Sequence, residues 1–188
     1  MKEVEVKAVL RDPQAVIQKL QSMGCEISRP KSQKDIKFLP NGVPQGQIKT
    51  GTHVLRMRDQ DGKHIFTLKQ TQANELDCVE KETVVEKPGE VIGMLGIMGY
   101  REVLRISKVR RTCKYRGLEI CIDNVEGLGD FIEVESMTEE LDGEKVQGQL
   151  FEFLKTLGVG DKDRVVNGYD TLLYMKAQGR LPSNINPK

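Results

Sequence analysis

Glu3, Glu5 and Lys7 stand at alternate positions near the N-terminus, with Val4 and Val6 between them. On a β-strand alternate side chains share a face. This stretch therefore sets two carboxylates and an ammonium on one side and valines on the other. The pattern recurs along the chain. Arg56 and Arg58 alternate with Leu55 and Met57, Thr67 and Lys69 with Phe66 and Leu68, and Glu133 and Glu135 with Ile132 and Val134. Glu80 and Glu82 share a strand face, as do Lys108 and Arg110, while Asp123 lies on a less regular row after Ile120 and Ile122. Rows of arginine and lysine neutralise phosphate oxygens. Rows of carboxylates bind Mg²⁺ or Mn²⁺, hard cations that bridge to phosphate. Such ions also activate a nucleophile and stabilise a leaving group, and phosphoryl transfer asks mostly for positioning and charge stabilisation. Bases and acids on opposing walls suit a metal–polyphosphate substrate. The sequence has no Ser-His-Asp set and no Gly-x-x-x-x-Gly-Lys-Ser/Thr phosphate loop.

The charged rows have two readings. In one, each charged face lies in water, as in any half-buried antiparallel sheet; for a single strand this is the default. In the other, the sheet closes into a barrel with the charges inside. Like charges two residues apart repel across a strand face, and amphipathic helices need an apolar sheet face to cover. Both features favour the barrel. A polar interior of both signs is costly to bury, so such a barrel would hold a polar ligand.

The elements that must position these rows can be read from local signals. A helix is predicted over "DPQAVIQKLQSMG", with Asp12 as cap, Pro13 in the first turn, Val16, Leu20 and Met23 at helical spacing, and Gly24 as stop. "CEISRPKSQKDIKFLP" reads as extended, with Pro30 interrupting, and "NGVPQGQIKTG" as a loop. Hairpins are predicted about Asp61-Gly62 and Arg116-Gly117. "LDCVEKETVVEK" and "GDFIEVES" read as further strands, and "PGEVIGMLGIMG" as a short helix weakened by Gly93 and Gly96. In the C-terminal third, Val146, Leu150, Phe153, Leu154 and Leu157 form the apolar face of a helix, "NGYDTLLYMKAQG" a shorter one, and "RLPSNINPK" a disordered tail. Many strands joined by hairpins, with few helices, predict an antiparallel sheet with helices packed outside.

Composition narrows the function classes. A chain of 188 residues suits one domain with a sizeable core. A net charge of +1 argues against a nucleic-acid binder with a basic footprint. No run is long enough to span a bilayer, and the strand-like charged N-terminus does not resemble a signal peptide, so a cytoplasmic location is the expectation. Cys25, Cys78, Cys113 and Cys121 lack Cys-x-x-Cys spacing and read as buried hydrophobes in a reducing compartment. His53 and His64 are too sparse for a zinc site.

Taken in order, the segments Glu3-x-Glu5-x-Lys7, "LRMR", "TLK", "EKE", "SKVRR", "CIDNVEGLGDFIEVE" and "NGYDTLL" resemble the CYTH superfamily, the triphosphate tunnel metalloenzymes. The resemblance covers roughly residues 1 to 175. It implies an α+β fold, a closed eight-stranded antiparallel barrel with helices outside, over 1–178, and a flexible tail over 179–188. It further implies that Lys7, Arg56, Arg58, Lys69, Lys108 and Arg110 hold the phosphates. Glu3, Glu5, Asp123, Glu133 and Glu135, with Glu80 and Glu82 as further candidates, would hold Mg²⁺ or Mn²⁺. The family ties Lys7 to the nucleophile or the leaving phosphate, and its role as a catalytic residue is left open between them. Two departures stand out: family members often carry arginine where this chain has Cys78, and an aromatic residue where it has Lys37, a cation that could compensate.

The implied ligand is a small triphosphate: ATP, thiamine triphosphate or tripolyphosphate. Water attacking the terminal phosphorus would make the protein a triphosphatase. A ribose 3′-hydroxyl attacking the α-phosphorus would make it a class IV adenylyl cyclase that releases pyrophosphate. The alternatives are a binding module that sequesters nucleotide or polyphosphate without turnover, or a structural domain with solvated strand faces. Nucleic acid and membrane are not expected partners, and the oligomeric state is open, with a homodimer as one option.

Overall fold

A computed structural model describes residues 2–185. In chain order the elements are β1 (Lys2–Val9), α1 (Pro13–Ser22), β2 (Lys31–Pro40), β3 (His53–Gln60), β4 (Lys63–Thr71), β5 (Asp77–Val84), α2 (Pro88–Ile97), β6 (Tyr100–Tyr115), β7 (Leu118–Val125), β8 (Gly129–Thr138), α3 (Gly143–Thr156), β9 (Arg164–Val165) and α4 (Tyr169–Ala177). The local signals act as expected. The Asp12 carboxylate accepts from the Ala15 amide, and Val16 and Leu20 turn inward from α1. Both hairpin turns take positive φ at their two central residues, 51° and 83° at Asp61 and Gly62, 48° and 81° at Arg116 and Gly117. That backbone matches the right-handed twist of the flanking strands.

The strands run in the order β5-β4-β3-β2-β6-β7-β8-β1-β9, and β5 also pairs with β1. This second pairing closes an eight-stranded antiparallel barrel and leaves β9 outside it. The closing seam is short. One edge of β1 pairs with β8 along its whole length. The other edge pairs with β5 only at Glu3↔Cys78 and Val4↔Asp77, and farther on with β9 at Lys7↔Val165 and Ala8↔Arg164. Between them the Glu5 amide donates to the Leu76 carbonyl at 2.9 Å.

The start of α3 holds this seam. The fully buried Asp77 accepts from Lys2 Nζ at 2.9 Å, and Gly143, the first residue of α3, lies against the Asp77 carboxylate. A methyl group at position 143 would collide with that carboxylate. Gly143→Ala is therefore expected to destabilise the protein by about 1–3 kcal/mol, seen as a lower urea midpoint, with helix propensity alone predicting the opposite sign.

Apolar rows face outward under the helices. Val16 and Leu20 of α1 and Val146, Leu150, Phe151 and Leu154 of α3 pack against Val4, Val6, Ala8, Ile120, Ile132 and Val134. Phe151, absent from the predicted apolar face, is buried, while Phe153 is only partly covered and stacks on Tyr115 with ring centroids 5.6 Å apart. Leu95 of α2 covers Phe38, Leu55 and Met57. Within the barrel the inward rows change character near α4. Lys7 and Glu133 give way to the paired Val9 and Phe131, and these, with Ile106, Val125, Leu128, Tyr169, Leu172 and Ile185, form an apolar plug at that end. The described part of the expected tail packs here: Ile185 is buried, and Arg11 donates to the Asn184 carbonyl at 2.7 Å. Residues 186–188 lie outside the described residues. Among the described residues no helix is long and apolar enough to cross a membrane.

Candidate functional site

Above the plug the barrel encloses a cavity of about 610 Å³. Glu3, Glu5, Lys7, Lys37, Arg56, Arg58, Lys69, Glu80, Glu82, Lys108, Arg110, Glu133 and Glu135 all line it. The rows legible in the sequence thus face inward together, and strand alternation is the reason: a register that sends Val4, Val6, Ile132 and Val134 outward sends their neighbours inward.

One part of the wall is acidic. Oxygens of Glu5, Glu133 and Glu135 lie within 4.8 Å of one another, as the cross-strand pairs Glu5↔Glu135 and Lys7↔Glu133 dictate. Lys7 is 2% exposed. Its ammonium sits 3.2 Å from Glu133 and 3.5 Å from Glu5 and donates to the Asn167 carbonyl at 3.2 Å. Burial works against the charge on Lys7, but Glu133 and Glu5 overcome it and raise its pKa, so the side chain stays cationic. Glu133 is held well below the ordinary carboxylate range: burial opposes its charge, and Arg110, Lys7 and Lys108 outweigh it. Glu135 goes the other way. Burial, with Glu5, Glu133 and Glu3 nearby, pushes it up to about 8 despite Arg110.

The other wall is cationic, and most of its cations are held by a carboxylate. Arg58 makes two bonds of 2.7 Å to Asp35. Arg56 donates to Thr67 at 2.9 Å and Glu80 at 3.2 Å. Lys69 lies between Glu3 at 3.1 Å and Glu80 at 2.5 Å. Lys108 and Arg110 meet at Asp123, with the Lys108 ammonium at 2.9 Å and Arg110 Nε at 2.7 Å, and Arg110 also bonds Glu133. Burial and the neighbouring Arg110 push Lys108 down to about 8 against the pull of Asp123. Lys37, half-buried and pushed down chiefly by desolvation, has Asp170 at 4.0 Å.

The predicted acids therefore divide. Glu5, Glu133 and Glu135 come together. Glu3 and Glu80 clamp Lys69 instead, and Glu82, with its side chain 55% exposed, lies 3.7 Å from Arg56. Asp123 is not brought to the acidic group: it is fully buried, and Lys108, Arg110 and the Tyr169 hydroxyl take up its oxygens. Cys78 lines the cavity as a neutral thiol, its pKa pushed up to about 12 by burial. Three participants lie outside the charged rows singled out in the sequence, although Tyr169 falls within the "NGYDTLL" segment. Asp35 holds Arg58 from β2, Glu75 sits in the loop before β5, and Tyr169 opens a helix rather than a charged strand row.

The three clustered carboxylates fit a hard divalent cation. All their donors are oxygens, and burial, together with Glu5, Glu133 and Glu3, raises Glu135 by more than Arg110 lowers it. The shift also sets a pH dependence. An unfolded glutamate titrates near 4.5, whereas folded Glu135 holds its proton to about 8. Its contribution to stability is thus fully present below about 4.5 and is lost as pH rises through about 8. Glu135→Gln is expected to raise the metal-free melting temperature at pH 9 relative to the parent, by a gain on the order of 2 kcal/mol, and to change it little at pH 5. Melting curves at the two pH values check this.

The CYTH domain family profile matches residues 1–169. A protein of Methanocaldococcus jannaschii, provisionally named an adenylate cyclase, is 32% identical over 169 residues, covering 88% of this chain and 94% of the relative. Among solved structures, a Pyrococcus horikoshii protein superposes with a TM-score of 0.77 at 26% identity, covering 93% of this chain and 99% of that one. A Hippeastrum protein, provisionally named an adenylyl cyclase and reported with a dominant triphosphatase activity, shares the fold at a TM-score of 0.61 and 20% identity, covering 98% and 99%.

Proposed function

The chain belongs to the CYTH domain family, and on that premise we propose that it is a divalent-metal-dependent enzyme that turns over a triphosphate inside its barrel. One observation carries the reading: a single cavity inside the barrel joins a carboxylate group fit for a cation to a wall of arginines and lysines. Mg²⁺ or Mn²⁺ held by Glu5, Glu133 and Glu135 would supply charge neutralisation at the phosphates and activation of the nucleophile. The chain's own part is positioning. Arg56, Arg58, Lys69, Lys108 and Arg110 bind phosphate oxygens, and their carboxylate partners hold them extended before substrate arrives, so little reorganisation is left for the reaction. Lys7, kept cationic, cannot serve as a base; it donates to a phosphate oxygen or to the leaving group. Asp123 acts from behind the wall by fixing Lys108 and Arg110.

Two nucleophiles suit this site. Water gives hydrolysis, and a ribose 3′-hydroxyl gives cyclic AMP and pyrophosphate, the reaction in the name of the M. jannaschii relative. Against a sequestering module without turnover stands the acidic group, because a protein that only binds polyphosphate has no use for three clustered carboxylates. The test is an assay of purified protein with Mg²⁺ or Mn²⁺ against ATP, thiamine triphosphate and tripolyphosphate, resolving orthophosphate, pyrophosphate and cyclic AMP. Turnover is expected with at least one substrate and is expected to vanish on chelation of the metal. Binding without turnover for every substrate and both metals would sink the enzyme reading.

A further inference from the structure

Tyr169 reaches the cavity from outside the barrel wall. It is the first residue of α4, buried, and its ring meets Phe131 edge-on at 5.2 Å between centroids. The other side of the ring faces charge. The Lys7 ammonium lies 4.3 Å from its centroid and the Lys108 ammonium 5.0 Å. Its hydroxyl donates at 3.0 Å to Asp123 Oδ2, the carboxylate that also receives Lys108 and Arg110. One side chain thus touches two cations by its face and steadies two through Asp123, with Lys108 held both ways.

This geometry solves a problem that a carboxylate cannot. Two buried ammonium groups need something in place of water. Carboxylates already stand beside both, Glu133 and Glu5 at Lys7 and Asp123 at Lys108, and each further carboxylate would cancel more charge and compete with phosphate for the same N–H donors. An aromatic face stabilises a desolvated cation, takes up no hydrogen bond and leaves the net charge in place. We propose that Tyr169 is a positioning residue: its ring and its hydroxyl together hold Lys7, Lys108 and, through Asp123, Arg110 at the phosphate-binding wall. The inference rests on the phosphate-binding reading of that wall. It also gives α4 a role beyond closing the barrel, since a shift of this helix would loosen several phosphate contacts at once.

The test is the affinity of purified full-length protein for tripolyphosphate, measured by calorimetry without added metal. Tyr169→Phe keeps the ring and loses the hydroxyl; an affinity lower by about 3-fold is expected, the size of one hydrogen bond. Tyr169→Leu loses both; about 30-fold weaker binding is expected, equivalent to ~2 kcal/mol. The phenylalanine variant should therefore recover most of what leucine loses. In a Lys7→Met/Lys108→Met background the same leucine substitution should cost only about 3-fold, because both targets of the ring are gone and only the hydroxyl's hold on Arg110 through Asp123 remains. A purely structural tyrosine would show the same loss in both backgrounds, and that result overturns the proposal. So does a folded Tyr169→Leu protein that binds tripolyphosphate like the parent. If the leucine variant does not fold, the phenylalanine variant decides, and parental affinity in it overturns the hydroxyl's part. A parent protein with no affinity for tripolyphosphate would instead overturn the phosphate reading itself.

Discussion

Lys7→Met is expected to lower kcat/KM on a triphosphate by about 10²–10³-fold, the range seen when one preorganised donor is removed from a transition-state site. Lys7 is the cation at the meeting point of the two charge sets. It lies against Glu5 and Glu133 of the acidic group, over the Tyr169 ring, and at the lining of the cavity. Methionine keeps the length of the stem and removes only the charge, so the effect is not one of packing. It also leaves Arg110, paired to Glu133 and Glu135, as the one cation among the described residues still paired to the acidic group. The metal-free variant should therefore melt earlier than the parent, and added Mg²⁺ should raise its melting temperature more than it raises the parent's. Steady-state kinetics and melting curves with and without Mg²⁺ check the two halves. Full turnover in the variant would remove Lys7 from the site.

The second large effect is expected in stability. Asp123→Asn should cost about 3–5 kcal/mol, the range for breaking a buried ion pair from one side. Asp123 is fully buried and is paired to both Lys108 and Arg110. Burial opposes its charge, yet Arg110 and Lys108 keep its pKa below the ordinary value. Asparagine fits the space but leaves the buried Lys108 and the half-buried Arg110 short of a counter-charge. The loss should appear in urea unfolding without any metal, at a nearly unchanged m-value. A metal ligand would behave in the opposite way: its removal would relieve repulsion in the metal-free protein and abolish stabilisation by Mg²⁺. The denaturation curve thus separates the placement seen in the structure from the ligand role that the sequence suggests for Asp123.

Much of the barrel is legible in the sequence because strand alternation is strictly local. Once Val4 and Val6 must be dry, Glu3, Glu5 and Lys7 have one face left, and the same holds for Arg56 with Arg58 and Glu133 with Glu135. The turns are legible too, because Asp61-Gly62 and Arg116-Gly117 need backbone conformations that few residue pairs adopt cheaply. Pairing between acids and bases is not local. Nothing in the spacing of Glu3 and Glu5 separates a residue that clamps Lys69 from one that joins Glu133 and Glu135. That division depends on how far the strands are sheared around the barrel, which sets the level each side chain reaches. Phe151 illustrates a smaller miss: the edge of a helix's apolar stripe is decided by what packs against it, here β1 and its neighbours in the main core.

The amino-acid sequence by itself determined the alternating rows, the hairpins, the helices that cover the apolar faces and the resemblance to a triphosphate-binding family. Only the tertiary structure decided three further things. Closure of β5 on β1 made opposing walls of the rows. The cross-strand register grouped Glu5, Glu133 and Glu135 and left Asp123 behind the cations. The docking of α4 brought Tyr169, more than 160 positions from Lys7, beneath its ammonium. The physical reason is range: alternation and turn geometry act within a few residues, whereas the pairing of buried charges is settled by distances of a few ångströms between segments far apart in the chain.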